Sequence, residues 1–228
     1  MANDPPALNA PTGLRIAPMD AAGLDFAVAQ HLEHFPVGFF AKLGPRFLSE
    51  YYRSFTRSPN AVALLADLDS EPIGYLIGAL DAVEHRRQVV TDHGRRLVWL
   101  GLTGMCRRPG LALFFLRTRA LRYSRRLLRR SAERTRQTSE APAVLNYVVV
   151  SPSTRGLGVG SALLARFEDK AKAAGRNRLV LVTAAGADSA ERFYLKEGWT
   201  RGGEHRASDG RRLVTFFKQL PHEATQEE

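Results

Sequence analysis

An apolar, strand-like run followed at once by a glycine-rich turn and an amphipathic segment constrains the fold of this chain most. Residues 144–150 end in three valines, whose β-branched side chains favour a buried strand, and Pro152 ends it. The next segment has charged residues interspersed with apolar residues at helical spacing, namely Leu163, Leu164, Phe167 and Ala171. The sequence therefore predicts a strand, a glycine-rich turn and a helix over 155–173, capped by Ser153 or Thr154.

Three glycines at alternate positions mark the start of this predicted helix: Gly156, Gly158 and Gly160. Each would cost roughly 1 kcal/mol in a helix relative to alanine, so we expect a purpose that requires backbone without side chains. Free N–H groups at a helix N-terminus favour a bound phosphate, and Arg155 adds a positive charge. A nucleotide P-loop and a dinucleotide fingerprint both require other residues after these glycines. Close helix packing or a flexible turn is the alternative explanation.

The stretch Arg155-Gly156-Leu157-Gly158-Val159-Gly160 resembles the Arg/Gln-x-x-Gly-x-Gly/Ala pyrophosphate loop of the GNAT superfamily of acyl-CoA-dependent N-acetyltransferases. Residues 190–199 resemble that family's closing helix, which typically reads Ala-x-x-Phe-Tyr-x-x-x-Gly-Phe. The resemblance covers residues 12–83 and 141–220. It implies an α/β fold with a mixed central sheet flanked by helices, interrupted by an insertion over 84–140.

Hydrophobic periodicity elsewhere is consistent with this fold. We expect one domain over 12–220, with a disordered N-terminus at 1–11 and a flexible tail at 221–228. After strand 144–150 and its helix, a strand at 179–183 and a helix at 187–197 complete a β-α-β-α series, which implies a parallel strand pair. The other predicted elements are strands 14–17, 61–66, 73–80 and 214–218, the second and third forming a hairpin, and helices 20–34 and 45–55.

The resemblance further implies that acetyl-CoA is the co-substrate, with its pyrophosphate on the N–H groups of residues 156–161. Its pantetheine arm would run beside strand 146–150, which splays from its neighbour in this family, and would pair with the backbone of Val148 and Val150. The implied cofactor-binding residues are Val148, Val149, Val150, Arg155, Gly156, Leu157, Gly158, Val159, Gly160, Ser161 and Ser189.

Tyr194 matches the residue that usually acts as general acid in the family, and the alternative is that it only packs. Glu84 and His85 follow the second hairpin strand and are the candidate general bases, with solvated loop charges as the alternative. Asn146 could bind a water or the acceptor. The expected reaction is direct transfer of an acetyl group from acetyl-CoA to a primary amine, most simply that of a small molecule such as an amino sugar.

The chain carries a net charge of +10, and one region accounts for it. Residues 84–136 contain fifteen arginines against three acidic residues, a local charge of +12. Within this largely helical insertion an amphipathic basic helix is predicted from a stripe of Leu113, Leu116, Ala120, Tyr123 and Leu127. A packed helical hairpin, which could form a homodimer interface, is the favoured explanation. The alternatives for this insertion are a lid over an anionic substrate and contact with a membrane or nucleic acid.

The alternative function for the whole protein is a CoA-binding module, or a protein- or RNA-directed acetyltransferase, whose basic insertion engages an anionic membrane or nucleic acid.

Composition excludes several other classes. The 228 residues include no uninterrupted apolar run of 18 residues, and the N-terminus lacks the basic and apolar segments of a secretion signal. A cytoplasmic protein is therefore expected. Cys106 is the single cysteine, so no intrachain disulfide can form, and the histidines have no clear metal-ligand spacing. We expect no metal.

Overall fold

The computed structural model describes residues 11–106, 110, 141–186, 188–207 and 210–221. Elements are numbered in chain order through these residues. The strands are β1 (Leu14–Pro18), β2 (Ala61–Leu68), β3 (Glu71–Ala79), β4 (Ala143–Val150), β5 (Arg178–Ala184), β6 (Thr200–Arg206) and β7 (Arg212–Gln219). The helices are α1 (Ala21–His34), α2 (Phe39–Leu43), α3 (Pro45–Arg57), α4 (Ala82–Gln88), α5 (Gly94–Cys106), α6 (Val159–Ala173) and α7 (Asp188–Lys196). A π-helical turn, Val89–His93, joins α4 to α5.

The seven strands form one sheet in the order β1-β2-β3-β4-β5-β7-β6. Its pairs are antiparallel except β4 with β5, which are parallel, as the β-α-β-α series predicted. Helices α1 and α3 cover one face, where Leu48 and Tyr52 are fully buried. Helix α6 covers the other, where Phe167 is fully buried. The predicted mixed sheet flanked by helices is confirmed.

Helix α6 lies so close to the sheet that β3 requires a glycine beneath it. A Cβ atom on Gly78 would lie 2.5 Å from the Phe167 ring and 2.9 Å from the Val144 carbonyl oxygen. Any side chain at position 78 would push α6 away from the sheet. The position of α6, and therefore of the loop that precedes it, is set by this contact.

The structure corrects the predicted start of α6 and adds two elements that the sequence did not predict. Helix α6 begins at Val159 and not near residue 155, because Pro152–Thr154 form a separate 3-10 turn and the left-handed Gly158 is the N-cap. Ser153 and Thr154 therefore do not cap it. Strand β6 and helix α2 were not predicted at all.

The segment after β3 is helical as far as Cys106. Its amphipathic basic helix, the N-terminus before residue 11 and the tail after residue 221 lie outside the described residues. Among the helices that the structure describes, none is both long enough and apolar enough to cross a bilayer.

Candidate active site

Strands β4 and β5 pair over only three residues each and then separate. Their ladder joins residues 143–145 to residues 179–181. Beyond it β4 continues to Val150 and β5 to Ala184, so the two strands form a fork that opens toward their carboxyl ends. At the point of separation a β-bulge interrupts the pairing of β3 with β4 and leaves Asn146 unpaired. The splayed strand pair expected from the sequence resemblance is present.

One edge of β4 offers free backbone groups to this fork. The Ser151 N–H donates to the Ile73 carbonyl of β3 at 2.7 Å. Because hydrogen-bonded and non-hydrogen-bonded pairs alternate along an antiparallel ladder, Val149 bonds to β3, whereas Val148 and Val150 direct their N–H and C=O groups into the fork. Val148 and Val150 thus have the free backbone groups that their predicted roles require. Val149 is a correction, since its backbone is engaged and its side chain is buried on the α1 and α3 side.

The loop that follows β4 presents a second set of free N–H groups. Gly156 and Gly158 have φ angles of +85° and +78°, in the left-handed region that favours glycine. Gly158, the N-cap of α6, supplies no side-chain hydrogen bond, and the Ala162 N–H makes the first intrahelical bond, to the Gly158 carbonyl at 2.9 Å. The N–H groups of the first turn stand at the positive end of the helix dipole and suit a phosphate: Val159, Gly160 and Ser161.

The third glycine has a different purpose from the one predicted. A Cβ atom on Gly160 would lie 3.1 Å from Phe193 of α7 and 3.8 Å from a Val150 methyl group. Gly160 thus allows α7 to pack on α6, which is the alternative that the sequence left open. At Gly156, by contrast, an added Cβ would meet nothing within 4 Å, and its backbone angle accounts for the glycine.

Arg155 is held at the open end of the fork by two contacts. Its Nε donates to the Val150 carbonyl at 3.3 Å, and its Nη2 lies 3.3 Å from Nε2 of His34 at the end of α1. An arginine has no acceptor, so His34 accepts at Nε2, and its Nδ1, 3.1 Å from the Gln30 carbonyl, carries the proton. Arg155 is exposed, which leaves its guanidinium able to meet an anion on the loop.

Helix α7 places Tyr194 in a largely apolar setting. Its ring packs against Trp199 and Phe216, with centroids 6.0 and 5.7 Å away. Burial raises the pKa of Tyr194 to about 12, so its phenol stays protonated at neutral pH. The Ser161 hydroxyl donates to the Glu197 carboxylate, just after α7, at 2.6 Å and ties this helix to the start of α6.

Ser189 lies in the first turn of α7, and its side chain is outside the described part of the chain. Leu157 lies in the loop and is exposed.

Glu84 and His85, the predicted bases, are not brought to the open part of the fork. They lie on α4, directly after β3, whose last residue, Ala79, pairs with Val144 at the closed end of the fork. His85 is buried, its ring centroid is 4.2 Å from that of Phe55, and burial lowers its pKa to about 4. Neither ring nitrogen of His85 has a hydrogen-bond partner among the described residues. The geometry does not support a base role for either residue.

A buried cluster of polar aromatic residues beside β4 was missed by sequence reasoning. The Tyr52 hydroxyl lies 2.6 Å from His31 Nδ1 and 3.4 Å from the Tyr75 hydroxyl. The His31 ring packs edge-on against Tyr147, the residue after the bulge, at 4.8 Å, and burial lowers its pKa to about 4. Four separate elements contribute these side chains, so no local sequence pattern signals the cluster. Nearby, the buried Asn146 Oδ1 has no partner among the described residues.

A separate cavity of about 640 Å³ lies between α1, α3 and α5. No residue of β4, of the glycine loop or of α7 lines it, so it is not part of the fork. Its floor includes the buried Glu50, whose carboxylate bonds His93 at 2.7 Å and both Arg53 and Arg96 at 3.1 Å. These contacts outweigh burial and lower the pKa of Glu50.

In the part of the chain that the structure describes, no group of three or more histidine, cysteine, aspartate or glutamate side chains is arranged to hold a metal ion.

The glycine loop and α7 lie within a stretch of sequence that matches the model of a known protein family. Residues 119–199 match the model of the Acetyltransferase (GNAT) family. This match confirms the resemblance predicted from the two motifs. The expected class, an acetyl-CoA-dependent acyltransferase, is confirmed with it. None of the curated proteins matches the chain.

Solved structures share the fold at low sequence identity. Ard1 from Thermoplasma volcanium is 13% identical, with a TM-score of 0.56 over 92% of this chain and 100% of that chain. The ribosomal-protein-S18-alanine N-acetyltransferase from Escherichia coli is 13% identical, with a TM-score of 0.53 over 94% and 99%. The yncA protein from Salmonella typhimurium, solved with its cofactor acetyl-CoA, is 13% identical, with a TM-score of 0.55 over 95% and 99%. These likenesses concern the fold alone.

Proposed function

We propose that the protein transfers the acetyl group of acetyl-CoA to the primary amine of a small molecule, such as an amino sugar or a related metabolite. The observation that carries the proposal is a surface with two sets of unpaired backbone groups. One set lies on the fork edge of β4 and the other in the uncapped first turn of α6, and the glycine loop joins them, with its Arg155 and Leu157 N–H groups bonded inside the loop. Such a surface matches a ligand with amides at one end and a diphosphate at the other.

In this proposal the diphosphate of acetyl-CoA lies on the N–H groups of the first turn of α6, with Arg155 beside it. The pantetheine amides add to the free edge of β4 at Val148 and Val150. The Val150 carbonyl already accepts a hydrogen bond from Arg155, so Val148 offers the fully free pair of backbone groups. A free backbone N–H in the fork also suits the thioester oxygen, where negative charge develops during attack.

The proposed reaction is a direct attack. The neutral amine bonds to the thioester carbon, and the tetrahedral intermediate collapses with breakage of the carbon–sulfur bond. Tyr194 donates its phenolic proton to the departing thiolate of CoA. The nitrogen releases its one extra proton to solvent, and the Tyr194 phenolate is reprotonated from solvent. An alkyl amine with a pKa near 10.4 is about 0.1% neutral at pH 7.4, so supplying the free amine costs roughly 4 kcal/mol unless the site assists.

An acetyl-CoA-dependent thiol-release assay tests this function against amino sugars, nucleotide sugars, polyamines and peptides. We expect selective turnover of one amine class, abolished by Gly158→Val, since a β-branched residue cannot adopt the left-handed angle at that position. Tyr51→Phe, a change on α3, is the matched control for Tyr194→Phe. Tight CoA binding without turnover of any amine would favour the alternative of a CoA-binding module.

A further inference from the structure

The helical segment from Ala82 to Cys106, which comprises α4, the π-helical turn and α5, has two opposite apolar faces. Its inner face packs on α2 and α3, where Leu97, Leu100 and Met105 contact Leu43 and Phe47. Its outer face carries five of the nine large apolar side chains that are strongly exposed among the described residues. These five are 53 to 69% exposed: Val83, Val90, Val98, Trp99 and Leu102. Trp99 lies at the edge of this face, since it also lines the cavity between α1, α3 and α5. Nothing in the packing of the sheet requires them.

Arginines are interspersed with these exposed apolar side chains. Arg86, Arg87 and Arg95 are exposed, and Arg87 lies 3.8 Å from Glu84 of the same helix, whereas Arg96 is turned toward Glu50 of α3. The sequence continues this charge, with eleven arginines against one glutamate over residues 107–136. The outer face thus combines exposed apolar area with an excess of arginines over the acidic residues of the segment, Glu84 and Asp92. This composition suits the boundary between lipid headgroups and acyl chains.

We infer that this outer face docks the protein on the surface of an anionic lipid bilayer. The arginines meet headgroup phosphates, and the valines, Trp99 and Leu102 enter the acyl boundary. A nucleic acid would satisfy the arginines but would leave the aliphatic side chains in water, which is why the bilayer fits better. The inference does not depend on the identity of the acceptor amine.

The two tryptophans of the chain provide a direct test. Trp199 is 2% exposed and Trp99 is 62% exposed, so a change in fluorescence on addition of vesicles reports on Trp99. With vesicles of 30% phosphatidylglycerol and 70% phosphatidylcholine we expect a blue shift, protection from acrylamide and co-sedimentation. With pure phosphatidylcholine vesicles we expect none of these. Binding should weaken as salt is raised, because the attraction between exposed charges is screened.

Substitutions on the outer face separate this docking from other uses of the segment. Val98→Ser/Trp99→Ser/Leu102→Ser should weaken co-sedimentation at least tenfold, since each side chain contributes buried apolar area. The matched control is Val37→Ser, because Val37 is equally exposed, at 61%, but lies beyond the end of α1. The triple variant should keep the wild-type melting temperature and CoA affinity. These two measurements would show that the variant folds.

Three results would overturn the inference. The first is undiminished vesicle binding by the triple variant. The second is binding of a 30-nucleotide single-stranded RNA without any binding to anionic vesicles. The third is a dimer in sedimentation equilibrium that the triple variant dissociates, which would assign the face to a second copy of the chain.

Discussion

A single methyl group added at Gly160 should disturb the contact between α6 and α7. The new Cβ would lie 3.1 Å from Phe193 Cζ and 3.4 Å from its Cε2, so the ring must move by a few tenths of an ångström. Overpacking typically destabilises a protein by roughly 1–3 kcal/mol. We expect about 1 kcal/mol here, because a single methyl group meets a ring that is only partly buried. Alanine in a helix gains up to about 1 kcal/mol over glycine. The two effects nearly cancel in Gly160→Ala.

A double-mutant cycle with Phe193→Leu separates the two effects. Without the ring the added methyl group meets no clash, so Gly160→Ala should then stabilise the protein by about 1 kcal/mol. Urea unfolding of the four proteins should give a coupling energy of about 1 kcal/mol. Gly94→Ala, at the start of α5 with no atom nearer than 3.9 Å to its Cβ, is the control for helix propensity. Additivity within about 0.3 kcal/mol would refute the packing explanation for Gly160.

The same variant connects packing to catalysis. Phe193 directly precedes Tyr194, so a displaced ring should also displace the phenol. We expect Gly160→Ala to lower kcat severalfold while the Kd for CoA stays within about twofold, and Phe193→Leu in the same chain to restore part of the loss. A large loss of CoA affinity instead would mean that Gly160 serves phosphate approach, as the sequence first indicated.

Further predictions concern the proposed acid, the arginine at the fork and the buried histidines. Tyr194→Phe should lower kcat at least tenfold with little change in Kd for CoA, because the phenol is the proposed proton donor; a wild-type kcat in steady-state assays would exclude that role. His34→Ala should raise the KM for acetyl-CoA but not for acetyl-pantetheine, which lacks the diphosphate that Arg155 would meet; equal changes in both KM values would contradict this positioning role. The free energy of unfolding should fall as pH drops from about 6.5 to about 4, because the pKa values of His31 and His85 are near 4 in the folded protein and the unfolded chain binds protons first. His85→Phe should flatten this dependence of the urea midpoint on pH, and an unchanged slope would show that other groups cause it.

Much of the site could be predicted from the sequence because its parts are close in sequence. The valine strand, the glycine loop, helix α6 and the Phe193-Tyr194 pair fall within about fifty residues, and each has a local pattern. Strand periodicity and left-handed glycines reflect the local backbone, which a short stretch of sequence largely determines. The parallel pairing of β4 with β5 follows from the helix that joins them.

The tertiary structure decided what depends on residues distant in sequence. Whether Val148 or Val149 faces the fork depends on which of them hydrogen-bonds to β3. The reason for a glycine at position 160 depends on the Phe193 ring of α7. His85 is a chemically plausible base by sequence but is packed against Phe55 at the other end of β4. The sequence by itself determined the class of fold and the glycine loop. Which side chains reach the fork was decided only by packing between elements, because a side chain's surroundings depend on long-range contacts that no local pattern contains.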